Sequence, residues 1–184
     1  LIPPPADEGP PAMDVLITAD QIRARVDELA EQIRTAYTGK PFTVVGILTG
    51  SMIFLADLIR RIDLPLQIGL VQASSYRGTA TSPGVLFIRD ELLPDVRGRH
   101  LLVLDDILDT GQTITRLNDH LLAKGAASVQ TCVLLRKVGR QRVPFEPDYC
   151  GFEIPDKFVI GYGLDFNDDY RYLPYIGVLP DGGA

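Results

Sequence analysis

The chain holds only two cysteines, Cys132 in an apolar run and Cys150 in a stretch read as a loop. That rules out a disulfide scaffold, and their spacing is not that of a zinc site. They read as two reduced, inert thiols. Long hydrophobic runs are also missing. None approaches the roughly 18 residues of a membrane span, so no membrane is expected as a partner. The opening LIPPPADEGPPAMDV has neither a basic segment nor an apolar h-region, so no signal peptide is expected and a cytoplasmic location is. Excess positive charge is absent too. The net charge of −6 argues against the nucleic-acid backbone as the main partner, although local Lys, Arg and backbone N–H groups can still hold a small anion. No G-x-G-x-x-G or G-x-x-x-x-G-K-[ST] occurs, which removes the two commonest nucleotide-loop motifs.

The 184 residues, 46% hydrophobic and 23% charged, can bury a sizeable core without cross-links. Five prolines precede Met13. Residues 1–12 therefore read as a disordered Pro-rich tail and residues 13–184 as a single domain.

The chain is organised around LLVLDDILDTGQTIT, Leu101 to Thr115. Leu101 to Leu104 make a short buried strand, Asp105 and Asp106 an acidic turn, and Asp109 to Thr113 a small loop that launches a helix ending near Lys124-Gly125. The first backbone N–H groups of that helix have no intrahelical partner, Gly111 permits close approach, and Thr110 and Thr113 add hydroxyls, which together suit a phosphate. The flanking carboxylates would repel a bare phosphate but would accept hydrogen bonds from vicinal hydroxyls or hold Mg²⁺. A sugar phosphate meets both demands. The whole stretch also matches the phosphoribosyltransferase motif for phosphoribosyl pyrophosphate (PRPP).

Elsewhere, Val15 to Ile17 reads as a strand, and Thr18 as the cap of a helix over Ala19 to about Tyr37. Phe42 to Leu48 is a second buried strand, leading through Thr49-Gly50-Ser51 into a helix over Met52 to Arg61. Two such turns at one edge of a parallel sheet would face each other across a cleft. Gln67 to Ser74 and Val85 to Ile88 read as extended, with the polar stretch Ser75 to Gly84 between them. Ser128 to Leu135 is a strand delivering Arg136 and Lys137, and Phe158 to Leu164 is the last long strand, followed by Asp165 and an acidic turn. The expected fold class is α/β, a doubly wound, mostly parallel sheet flanked by helices, with a small hood subdomain from the chain termini.

With Leu48-Thr49-Gly50-Ser51, Ser75-Tyr76, Leu134 to Lys137 and Lys157 to Asp165 also in order, the chain resembles the hypoxanthine-guanine phosphoribosyltransferases, type I phosphoribosyltransferases of bacterial kind, over nearly everything from Met13 to Leu179. The resemblance implies purine salvage: Mg²⁺-dependent transfer of ribose 5-phosphate from PRPP to N9 of a 6-oxopurine, giving IMP or GMP and pyrophosphate, in a homodimer or homotetramer. By the same resemblance Asp105 and Asp106 hold the ribose hydroxyls and take part in metal binding. Asp109 is the general base at purine N7, and Asp109, Thr110, Gly111, Gln112 and Thr113 bind the 5-phosphate. Leu48, Thr49, Gly50 and Arg171 meet pyrophosphate, the turn through a cis peptide. Lys137, Phe158, Val159 and Asp165 surround the base, Asp165 also coordinating Mg²⁺, and Ser75-Tyr76 heads a lid. Many members carry Lys where this chain has Thr49, which keeps backbone donation and removes a positive charge beside the leaving group.

Taken alone, several of these residues have ordinary readings. A lysine at a strand end is usually solvated, a Phe opening an apolar strand is usually core, and an acid at a helix start is favoured by the helix dipole. Three other functions compete. A xanthine-preferring transferase shares the 6-oxo argument from Lys137, which disfavours adenine because its 6-amino group would face a donor. A nucleotide-sensing RNA- or DNA-binding regulator on the same fold fits the acidic composition poorly. A phospho-accepting receiver domain would place its acid pair after the first strand, not after about 100 residues of folded chain.

Overall fold

Strands that are apolar at nearly every position are covered on both faces, and three such strands form the centre of this molecule. The structure is a computed structural model describing residues 13–75 and 86–179. In chain order its elements are β1 (Asp14–Ile17), α1 (Ala19–Tyr37), β2 (Phe42–Leu48), α2 (Met52–Ile62), β3 (Gln67–Ser75), β4 (Leu86–Leu92), β5 (His100–Leu108), α3 (Gln112–Ala123), β6 (Ser128–Lys137), β7 (Tyr149–Ile154), β8 (Val159–Ile160) and β9 (Ile176–Val178). The Pro-rich tail, Tyr76 and the rest of the polar stretch after Ser75 lie outside the described residues.

The main sheet runs β4-β3-β2-β5-β6-β7. All its pairings are parallel except that of β3 with β4. From β2 the chain first builds outwards through β3 and β4, then returns to lay β5 on the other side of β2 and continues to β6 and β7. The direction of building therefore reverses between β2 and β5. In an open α/β sheet the crevice beyond the carboxyl ends of those two strands is where ligands are held.

Alternation along the strands sends side chains to opposite faces. Leu102 and Leu104 of β5 join α1 and α2 in one core, with Ile22, Val26, Leu29, Ile33, Phe54 and Leu58. Leu101 and Val103 meet Ile114, Leu117 and Leu121 of α3 in the other. Fully burying each such side chain is worth about 1.5–3 kcal/mol, so both crossovers are pinned close to the strand ends that matter. Thr18 and Gln21 form the reciprocal capping box that starts α1. A three-stranded antiparallel sheet, β1-β9-β8, joins both ends of the described chain.

Four sequence expectations change. β5 runs on to Leu108, in register with β6 as far as Leu108 opposite Arg136, so Asp105 and Asp106 sit in a strand and not in a turn. Continued parallel pairing outweighs the weak strand preference of aspartate. Cys150 lies in β7, an edge strand paired with β6, and not in a loop. The strand expected over Phe158 to Leu164 stops at Ile160, because Gly161, Tyr162 and Gly163 all take positive φ. Finally, Ile176–Val178, for which no strand is expected from the sequence, forms β9 and pairs with β1.

Candidate active site

Where the sheet reverses direction, a cleft of about 320 Å³ is lined by Leu48 at the end of β2 with Thr49 and Gly50 after it, Asp105 to Leu108 on β5, Asp109, Thr110 and Gly111 in the loop that follows, Thr113 in the first turn of α3, and Asp165 and Arg171. Two strand-turn-helix units thus face each other, as the sequence led us to expect.

The turn after β2 is held tightly. The Leu48–Thr49 peptide is cis, and Ser51 Oγ donates to Ile47 O at 2.6 Å. Gly50 lies directly against Asp106: a Cβ built there would stand 1.7 Å from Asp106 Oδ2. Only glycine lets this backbone come so close to the carboxylate. Opposite it, Gly111 caps α3 in the left-handed region at φ 80°, leaving the first amides of α3 directed at the cleft.

Asp105 and Asp106 are half-buried, and their hydrogen bonds are local. Asp106 N donates to Asp105 Oδ1 at 3.1 Å and Ile107 N to Asp106 Oδ1 at 2.8 Å. Burial first, and the neighbouring Asp106 charge second, push the Asp105 carboxyl well above the usual carboxylate range. Asp106 is also raised by burial, against the pull of hydrogen bonds and of the Arg171 charge. Asp109 behaves in the opposite way. Arg140 donates to both its oxygens, at 2.9 and 3.3 Å, and this hydrogen-bonded guanidinium holds its carboxyl below the ordinary value, helped by the charges of Lys137 and Arg142.

The far wall comes from the segment after β8. Arg171 Nη2 pairs with Asp165 at 2.8 Å and Asp168 at 3.1 Å, and its Nη1 donates to Gly163 O at 2.7 Å. Lys137 stands at the end of β6 with Nζ 3.2 Å from Asp156. Phe158 is 53% exposed and meets Phe166 edge-on at 5.7 Å, so it is not ordinary core, while Val159 is buried. Lys137, Phe158, Val159 and Gln112 do not line the cleft itself. Ser75 closes β3, and Tyr76 lies outside the described residues.

Two participants went unnoticed in the sequence, Arg140 and Asp156. Arg140 also approaches Asp156 at 3.6 Å, so charges alternate in sign along Asp109, Arg140, Asp156 and Lys137. The only prior hint of Arg140 was a basic residue three positions past Lys137, across Gly139. Asp165, Asp105 and Asp106 supply hard oxygen donors to one cleft, and the raised carboxyls of the pair are those a nearby cation would relieve. These oxygens suit Mg²⁺, although among the described residues no three acids, histidines or cysteines stand together closely enough to hold a metal ion by themselves.

An acid pair at a sheet's reversal point, flanked by two turns rich in free backbone amides, is the arrangement of a phosphoribosyltransferase class of site. The chain belongs to the phosphoribosyl transferase domain family, whose model matches residues 17–167. Within that family it is 43% identical over 167 residues to a protein of Streptococcus pneumoniae named hypoxanthine-guanine phosphoribosyltransferase, covering 91% of this chain and 93% of that one. A protein of the same name from Aquifex aeolicus is 42% identical over 170 residues, covering 92% and 96%. Among solved structures, a hypoxanthine phosphoribosyltransferase from Staphylococcus aureus superposes with a TM-score of 0.85 at 41% identity, covering 91% of each chain.

Proposed function

We propose that this chain, as one domain over residues 13–184, transfers the 5-phosphoribosyl group of PRPP to N9 of hypoxanthine or guanine, giving IMP or GMP and pyrophosphate in purine salvage. The observation that carries this reading is the juxtaposition of Asp105 and Asp106 with two facing turns in a single cleft. In the reaction the bond from ribose C1 to pyrophosphate breaks, its electron pair leaving with pyrophosphate, and N9 of the base bonds to C1 while the N7 proton departs. Charge of both signs develops, and each half of the cleft suits one sign.

Asp105 and Asp106 accept from the ribose hydroxyls and face the cationic C1. The amides and hydroxyls of Thr110, Gly111, Gln112 and Thr113 hold the 5-phosphate. Leu48, Thr49 and Gly50 donate backbone N–H groups to the pyrophosphate, and Arg171 pairs with it. Asp109, kept ionised by Arg140, accepts the proton from N7 and does not retain it. Lys137 donates to the 6-oxo group, Phe158 offers its exposed face to the base, and Val159 meets the base edge through its backbone. Asp165, with Asp105 and Asp106, would hold Mg²⁺ together with oxygens of PRPP, and the ion would supply positive charge beside the leaving group. The protein works in the cytoplasm as a homodimer or homotetramer; among the described residues no helix is long and apolar enough to cross a membrane.

The test is incubation with PRPP and Mg²⁺ against hypoxanthine, guanine, xanthine and adenine separately, quantifying nucleotide and pyrophosphate. IMP and GMP with little AMP is the expected result. Preference for xanthine moves the base assignment, and nucleotide binding without turnover of any base overturns the enzymatic reading.

A further inference from the structure

Arg171 is poorly buttressed for a residue that must meet a leaving group. Besides the main cleft it lines a second cavity of about 330 Å³, bounded also by Ile53, Asp57, Tyr162 and Leu173. With open space on that side, packing does not fix the guanidinium. Its position depends on hydrogen bonds, among them the 2.7 Å bond to Gly163 O. The question becomes what holds Gly163.

Gly163 belongs to a turn in which three successive residues, Gly161, Tyr162 and Gly163, have φ of 97°, 51° and 101°. For tyrosine that region is unfavourable, so something must retain it there. The backbone contribution is two bonds to the returning chain, Tyr162 N to Leu173 O at 2.8 Å and Gly163 N to Arg171 O at 3.0 Å. Tyr162 is buried, 6% exposed, and its hydroxyl donates to Asp57 Oδ2 at 2.6 Å. Asp57 stands on α2, the helix that follows the Leu48 to Gly50 turn, and is itself gripped by Arg60 and by Arg61 at 3.6 Å. On the other side of the same turn a Cβ at Gly163 would lie 2.2 Å from Gly50 O. The two walls of the leaving-group half of the cleft thus touch at Gly50 and Gly163, and are tied by a side-chain bond between Asp57 and Tyr162.

We infer that Tyr162 and Asp57 are positioning residues for pyrophosphate: their hydrogen bond ties the turn carrying Gly163 to α2 and so sets Arg171 opposite the Thr49-Gly50 amides. Neither side chain lines the main cleft, so both act through Arg171. The inference rests on the assignment of Arg171 and the β2 turn to pyrophosphate, and the experiment separates the two.

Calorimetric affinities for Mg²⁺-pyrophosphate and, separately, for GMP are measured on the unaltered protein, Tyr162→Phe and Arg171→Ala. GMP occupies the base, ribose and 5-phosphate positions and none of the leaving-group half. Tyr162→Phe keeps the ring and removes one hydrogen bond to a charged acceptor, so pyrophosphate affinity is expected to fall about tenfold and GMP affinity to change less than about twofold. Asp57→Asn, which retains an oxygen to accept from the hydroxyl, is expected to stay within about threefold for pyrophosphate, whereas Asp57→Leu follows Tyr162→Phe. A loss in Arg171→Ala with none in Tyr162→Phe overturns the positioning role alone. No loss in either variant overturns the assignment of Arg171 and the positioning role with it. Equal losses of pyrophosphate and GMP affinity in Tyr162→Phe, or a lowered melting temperature with both affinities kept, reduces the bond to general stability and also overturns the inference.

Discussion

Asp105 and Asp106 stand four and three residues before Asp109 on one continuous stretch, yet the structure gives the pair and the single residue opposite chemistry. The pair is half-buried beside its own like charge, with carboxyls pushed up. Asp109 lies past the end of β5 in a more open position, 40% exposed, with a guanidinium across it and a carboxyl pulled down. Residue type is constant, and environment makes the difference. A raised pair responds to an incoming cation, whether a metal ion or a sugar carbon losing its leaving group. A lowered single carboxylate is ionised and open to a proton from a neutral donor. The comparison can be broken by changing each member separately.

Removing Asp109 carries the largest expected effect on turnover. Asp109→Asn preserves shape and hydrogen-bonding atoms but cannot take a proton, so kcat should fall about 10²- to 10⁴-fold, while affinity for PRPP, which depends on the amides of the same loop, changes little. Single-turnover rates alongside PRPP binding would check this, and unchanged turnover would remove Asp109 from the base role. Next comes Gly50→Ala. Its Cβ would fall 1.7 Å from Asp106 Oδ2, so either the turn or the carboxylate must move, and a displacement of that order costs roughly 10²-fold in kcat/KM for PRPP. Here Asp106 is disturbed without being mutated, which separates its position from its charge.

Asp105→Asn tests the other half of the contrast through stability. The folded protein holds the carboxyl proton more tightly than the unfolded chain, whose aspartates lose theirs near pH 3.9. Stability of the unaltered protein therefore falls as pH rises from about 4 towards the raised folded value, and stays lowered above it. At neutral pH the asparagine variant should be more stable by about 1 kcal/mol while losing activity, the pattern of a site kept at a cost for function. Below about pH 4 that advantage should vanish, since the pair is then protonated in both states. Thermal unfolding at pH 7.5 and pH 3.5 would decide it, and a gain persisting at low pH would point to packing and not to charge.

How far the sequence foretold this depended on whether a feature is local. The Leu101 to Thr115 stretch carried its strand, acids, glycine and helix start within one segment, so the cleft was legible, and so was the second turn at Thr49-Gly50. The alternation of strands and helices sufficed for a doubly wound sheet. Features resting on distant pairing were harder to see. β7 is mixed in polarity and is ordered by β6; β9 has three residues and exists through β1. The extension of β5 past Asp105 needed the register with β6. Arg140 lies 31 residues from Asp109, and Tyr162 lies 105 from Asp57, in a turn that the apolar run Phe158 to Leu164 disguised as a strand.

The smallest expected effect comes from Arg140→Gln, and it addresses why Asp109 differs from the pair at all. If the guanidinium is the cause, its loss lets the Asp109 carboxyl rise from its depressed position. The ion pair is solvent-accessible, with both side chains about 40% exposed, so kcat at pH 7 should change by less than about fivefold. The informative quantity is the acid limb of the pH–rate profile. Asp109 must be ionised to act, so a higher carboxyl value moves that limb to higher pH, and turnover at pH 5 falls further than turnover at pH 7. The stability contribution has the matching sign: in the unaltered protein it is present above the unfolded aspartate value and lost as pH falls through the lower folded one, and it disappears in the variant. Added salt should mimic the substitution in the unaltered protein and do little in the variant. An acid limb that stays in place would mean that Asp109 owes its ionised state to the amides at the start of α3, and Arg140 would then be no more than a neighbour of the base site.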